Sequence, residues 1–98
     1  MVKHMIIWKM KEDIADKAPK KAEIKAALEG LVGQIDGLLE MKILTEGFDC
    51  SAGDLMMDST LTTKEALDAY QKNPLHQAVA NTFVRPNMEA RLSFDYEV

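Results

Sequence analysis

Met88-Glu89-Ala90-Arg91-Leu92-Ser93-Phe94-Asp95-Tyr96, near the end of the sequence, alternates without a break. Met88, Ala90, Leu92, Phe94 and Tyr96 share one side of an extended chain, and Glu89, Arg91, Ser93 and Asp95 the other, which predicts a strand. If the apolar row covers helices, the chain is a two-layer monomer. If that row faces away from them, it needs a partner, because a patch of that size is rarely left in water. The polar row would then point under the helices. Periodicity alone leaves both arrangements open.

Reading back from that strand, Arg85-Pro86 ends a helix, since the residue before a proline avoids the helical region. This helix starts with Asn73 as N-cap and Pro74 at its first position, and Leu75, Val79 and Phe83 form its buried stripe. Thr62 and Glu65 have capping-box spacing, so another helix starts there, carrying Ala66, Leu67 and Tyr70 inward until Asn73-Pro74 interrupts it. Residues 54–61 alternate, with Leu55, Met57, Ser59 and Leu61 against Asp54, Met56, Asp58 and Thr60. So do residues 38–46, and a loop holding Gly47, Asp49, Ser51 and Gly53 separates the two.

From about residue 19, Ile24, Leu28, Leu31, Ile35 and Leu38 make a helical stripe with Gly37 as its stop. Lys20, Lys21, Glu23, Lys25 and Glu29 fall mostly on the solvent side. Residues 2–10 alternate again, with Val2, His4, Ile6, Trp8 and Met10 on one side. The order is β-α-β-β-α(α)-β, which predicts an α+β, ferredoxin-like fold: a four-stranded antiparallel sheet with helices on one face, as a single domain over residues 1–98.

Composition bounds the function. Ninety-eight residues allow one domain, and 47 % hydrophobic with 29 % charged residues is ordinary for a globular chain. Twelve Lys and Arg against sixteen Asp and Glu give a net charge of −4, without the basic footprint of a nucleic-acid or anionic-membrane binder. A lone cysteine, Cys50, supports neither a disulfide framework nor a thiolate cluster. The run Met5-Ile6-Ile7-Trp8 is too short for a signal peptide, and nothing approaches the ~18 apolar residues of a membrane span. The expectation is a cytoplasmic protein. The two histidines lack the helical spacing of a metal motif, and no cofactor motif is present, so neither metal nor cofactor is expected.

Three pieces carry a resemblance: Val2-Lys3-His4, Tyr70-Gln71-Lys72-Asn73-Pro74-Leu75-His76 and Phe94-Asp95-Tyr96. With them the chain resembles the Dabb proteins, the stress-responsive dimeric A/B barrel domains, over nearly its full length. The resemblance implies a homodimer whose sheets pair to close a shared barrel, with the apolar face of the last strand inside it and the His4 face toward the helices. It further implies, by similarity to a plant polyketide cyclase of the family, an acid/base pair at Tyr70 and His76, with Asp95 orienting the histidine and His4 lining the pocket. A histidine of the cyclase pocket falls on Asp54 here, and two aliphatic positions fall on Arg91 and Ser93. The implied pocket is therefore more polar than one built for an alkyl polyketide, and the cyclase substrate does not carry over. Trp8 lies on the His4 side of its strand and is counted with the pocket, although with the methionines it also reads as core. Some family members hold a cation on backbone carbonyls, which would correspond to Val32, Ile35 and Leu38.

His76 would be the third residue of its short helix, where the dipole disfavours the imidazolium and leaves a base near neutral pH. A histidine with a carboxylate behind it and a tyrosine hydroxyl beside it suits enolisation or condensation of a carbonyl compound. Tyr70 and His76 stand six residues apart, so only the break at Asn73-Pro74 lets them converge. Each residue also has a structural reading: Tyr70 as core with its hydroxyl at the rim, His76 as a cap, His4 as a satisfied strand histidine, Asp95 as a local acceptor, Arg91 and Asp54 as a cross-sheet pair. The functional expectation is a His/Tyr acid–base protein for a polar carbonyl-containing small molecule. The alternatives are a non-catalytic binding or stress-response module, or a cofactor-free monooxygenase-like protein.

Overall fold

In the computed structural model, which describes residues 1–98, the alternating stretches form four strands: β1 (Val2–Met10), β2 (Leu38–Leu44), β3 (Leu55–Leu61) and β4 (Met88–Glu97). They join in one antiparallel sheet ordered β2-β3-β1-β4, the ferredoxin-like arrangement. Three helices, α1 (Lys17–Glu29), α2 (Lys64–Lys72) and α3 (Pro74–Val79), cover one face. Between sheet and helices lies a single apolar cluster that includes Val2, Ile6, Trp8 and Met10 of β1, Ile24 and Leu28 of α1, Met57 and Leu61 of β3, and Leu67 of α2.

The register decides the open question about β4. His4 lies opposite Asp95, Ile6 opposite Ser93 and Trp8 opposite Arg91, while Met5 faces Phe94 and Ile7 faces Leu92. Paired residues share a face. The polar row of β4 therefore lies on the helix side, and the apolar row looks away. On that outer face Leu92 is 74 % exposed and Phe94 70 %, beside the exposed Ile7 and Leu44. Lys3 and Asp58, at 2.6 Å, form an ion pair on the same outer face.

Helix α1 is shorter than the apolar stripe suggests. It starts at an Asp16 cap, whose carboxylate accepts from the Ala18 N–H at 3.2 Å, and stops before Gly30. Leu31 and Ile35 stay buried but in irregular turns, because Gly33 (φ 89°) and Gly37 (φ 84°) take the left-handed region that ends a helix. At Gly37 the helix layer also comes close: a Cβ there would lie 2.6 Å from the Ala66 Cβ. Three charged residues of α1 expected to face solvent instead reach the edge of β2. Glu29 accepts from the Ile43 N–H at 2.9 Å, Lys25 donates to the Ile43 carbonyl at 2.9 Å, and Lys21 donates to the Thr45 carbonyl at 3.3 Å. The Ile35 carbonyl, one of the three suggested for a cation, accepts from the Leu38 N–H at 3.2 Å.

The second helix is capped by Thr63 rather than Thr62, with its hydroxyl accepting from the Ala66 N–H at 3.0 Å. Asn73 and Pro74 act as read. Asn73 is extended (ψ 131°), ends α2, and its side chain caps α3 through the Leu75 N–H at 2.9 Å. Beyond Val79 the chain widens into a π turn (Ala80–Val84) and then a 3-10 turn (Arg85–Asn87). Of the expected stripe, Val79 and Phe83 pack against the core while Leu75 is 45 % exposed, and the widened turn buries Ala80 and Val84 as well.

Candidate functional site

Glu89 and Arg91 of β4, the buried side of β1 and the helices border an open-sided cavity of about 490 Å³. Its wall includes His4, Trp8, Tyr70, His76 and Arg91, five of the residues picked out from the sequence. Each is there for a local reason. His4 and Trp8 lie on the core side of β1, Arg91 stands opposite Trp8 on the edge strand, and Tyr70 is carried inward by the last turn of α2. The Asn73-Pro74 break then folds His76 back over Tyr70: their ring centroids are 4.3 Å apart at 38°. The His4 ring stands 6.2 Å from Tyr70 in an edge-on arrangement at 69°.

Tyr70 is fully buried, yet its hydroxyl has no hydrogen-bond partner in the protein. Burial raises its pKa far above that of an ordinary tyrosine, with the Arg91 charge opposing only in part, so the hydroxyl remains a proton donor. His76 is half-buried. Its Nδ1 lies 3.3 Å from the Gln71 carbonyl, one of the last carbonyls of α2, which have no partner within that helix. A carbonyl only accepts, so the proton sits on Nδ1 and Nε2 carries the free lone pair. Its pKa is lowered, first by burial, with the Gln71 carbonyl opposing, and then by the charges of Arg85, His4 and Arg91. The direction is the one expected at a helix N-terminus, but burial is the leading cause.

Three expected site residues fall elsewhere or act differently. Asp95 does not stand behind His76: the β1–β4 register sets it opposite His4, and its carboxylate accepts from His4 Nδ1. Asp54 lies at the start of β3, away from the cavity and from Arg91. Its N–H donates to the Trp8 carbonyl at 2.8 Å, its carboxylate accepts from the Met10 N–H at 2.7 Å, and Lys17 is 3.8 Å away. It extends the β1–β3 ladder and borders a separate hollow on the outer face with Ile7 and Leu44. Asp58, of the same strand, is also turned away from Arg91, toward Lys3. Ser93 is on the helix side opposite Ile6, but is exposed and outside the cavity wall. Four polar wall residues were not singled out: Gln71, Gln77, Arg85 and Glu89. Gln71 sits inside the segment that carries the resemblance, and Arg85 was read only as the residue before a proline.

The arrangement offers a neutral imidazole nitrogen and a buried, unsatisfied O–H on one cavity of mixed polar and apolar lining. Such a pair can take a proton from one atom of a bound molecule and donate a hydrogen bond to another.

Comparison with known proteins bears on the fold. A dimeric, ferredoxin-like protein of unknown function from Bacteroides fragilis superposes with a TM-score of 0.90 at 21 % identity, covering 99 % of this chain and 95 % of that one. A dimeric ferredoxin-like protein of unknown function from Jannaschia sp. CCS1 gives 0.76 at 27 %, covering 99 % and 98 %. The hydroxynitrile lyase of Passiflora edulis gives 0.82 at 17 %, covering 99 % and 92 %. No curated protein matches the sequence. The sequence profile of the stress responsive A/B barrel domain matches residues 2–98, and with that match over almost its whole length the chain belongs to the Dabb family.

Proposed function

We propose that this Dabb protein works as a homodimer in which each cavity binds a carbonyl-containing small molecule and moves a proton at the carbon beside the carbonyl. His76 Nε2 is the base and the Tyr70 hydroxyl is the hydrogen-bond donor to the carbonyl oxygen. The observation that carries this reading is the Tyr70 hydroxyl, buried at the cavity wall and unpaired while stacked on His76. A buried polar group without a partner is uncommon in folded proteins and points to a partner supplied by a ligand. His4, fixed by Asp95, braces the far side of the tyrosine ring. The likeness to a hydroxynitrile lyase supports only the capacity of the fold to house a lyase-type site.

The dimer part of the reading rests on the exposed Ile7, Leu44, Leu92 and Phe94 of the outer face and on the dimeric neighbours. The chemistry is tested by incubating the protein in deuterium oxide with linear ketones, oxo acids and their esters and following loss of the proton signal beside the carbonyl by NMR. The expected result is exchange above the buffer rate with at least one class, abolished in His76→Ala and strongly reduced in Tyr70→Phe. Equal rates for the protein and His76→Ala on every compound would overturn the assignment.

A further inference from the structure

The cavity differs in charge from the chain around it. The protein carries a net charge of −4, yet the cavity wall holds two guanidinium groups, Arg85 and Arg91, against the single carboxylate of Glu89. Arg85 is engaged: it donates to Gln77 Oε1 at 3.2 Å and to the Asn81 side-chain oxygen. Glu89 has the Lys9 ammonium within electrostatic reach. Arg91 takes part in none of the ion pairs of the protein, and no side chain or carbonyl accepts from it. It extends from the edge strand beside the buried Trp8, and its charge acts on both Tyr70 and His76. A guanidinium is always charged and presents a planar fork that matches a carboxylate with two parallel hydrogen bonds.

We propose that Arg91 anchors a carboxylate of the substrate, so that the cavity takes oxo carboxylates in preference to neutral ketones. This rests on the proton-transfer reading above and names the substrate class for it. With the carboxylate on Arg91, the ketone oxygen accepts from the Tyr70 hydroxyl and an adjacent C–H faces His76. The proton passes to His76 Nε2, the C–H electron pair becomes the enolate double bond, and the carbonyl pair moves onto the oxygen held by Tyr70. Return of the proton from the imidazolium to carbon closes the cycle without an oxidant or second reactant. The guanidinium also offsets the second negative charge that the enolate adds to the carboxylate.

The test uses 2-, 3- and 4-oxopentanoate and the methyl ester of each, with binding read by calorimetry and exchange by NMR in deuterium oxide. At least one acid is expected to bind tenfold or more tightly than its ester. Arg91→Gln should weaken that acid by roughly ten- to a hundredfold, the loss expected for a charge-assisted pair, and collapse the preference for acid over ester. Arg91→Lys, which keeps the charge without the fork, should retain part of the preference. Equal binding of acids and esters, a preference that survives in Arg91→Gln, or no binding of any acid each overturns the anchor. Selective binding through Arg91 without exchange would keep the anchor and remove the proton-transfer reading. Exchange of esters and acids alike would do the reverse.

Discussion

A buried hydroxyl without a partner costs a fold about 1–3 kcal/mol, and Tyr70 carries that cost at the cavity wall. Tyr70→Phe keeps the ring and removes only the unsatisfied oxygen. Urea denaturation of this variant should show stability unchanged or raised by about 1 kcal/mol, alongside the loss of exchange. A tyrosine kept for structure would lose stability instead. His76 supplies the pH dependence. Its folded pKa lies below the ordinary 6.5, so the unfolded chain binds the proton first as the pH falls. Exchange should therefore hold through neutral pH and fall on the acid side with a midpoint below 6.5, and stability should decline over the same window. On the alkaline side Tyr70 stays protonated where an ordinary tyrosine ionises, so a rate–pH profile should show no loss from it near pH ~10. Tyr70 and His76 were legible as a pair through the family resemblance, and the Asn73-Pro74 break between them showed how they could converge. The Asp95–His4 contact was not, because its partners stand 91 positions apart and meet only through strand register.

Local chemistry marked the elements well where a residue has one strong conformational preference. Asn73-Pro74 is such a place: the Asn73 backbone N–H closes α2 on the Tyr70 carbonyl while its side chain opens α3, and that corner is what sets His76 against Tyr70. Asn73→Ala should lower stability by about 1 kcal/mol in chemical denaturation, the usual loss of an N-cap. It should also reduce exchange more than that loss accounts for, since the two rings are no longer held at a fixed angle. Elements whose limits depend on neighbours were harder to read. The stripe from Ile24 to Leu38 is buried as its spacing implies, but only its first half is helical, because burial and helicity are separate properties once glycine permits other turns. The π turn at Ala80–Val84 has no residue signature in the sequence, and it begins and ends on the buried Ala80 and Val84.

At the scale of the whole molecule, the sheet is a wall with one finished side. Its inner face meets the helices, whereas the outer face presents Ile7, Leu44, Leu92 and Phe94 to solvent in the single chain. A stable dimer buries about 800 Å² on each partner, and these side chains lie together on the sheet face that the helices leave uncovered. Leu92→Glu should convert a dimer seen by light scattering into a monomer and lower Tm, with the Tm of the unaltered protein rising with concentration. The two margins of the sheet are also unlike. Along β2 the side chains of Lys21, Lys25 and Glu29 already occupy the outward backbone groups of Ile43 and Thr45, while β4 has no such cover. Edge-to-edge growth of a sheet into a fibre needs a vacant margin at each end of every unit. With Ile43 and Thr45 already engaged, the far end of the β2 margin offers fewer free groups to a stray strand than β4 does, so the three charged residues of α1 work against polymer formation.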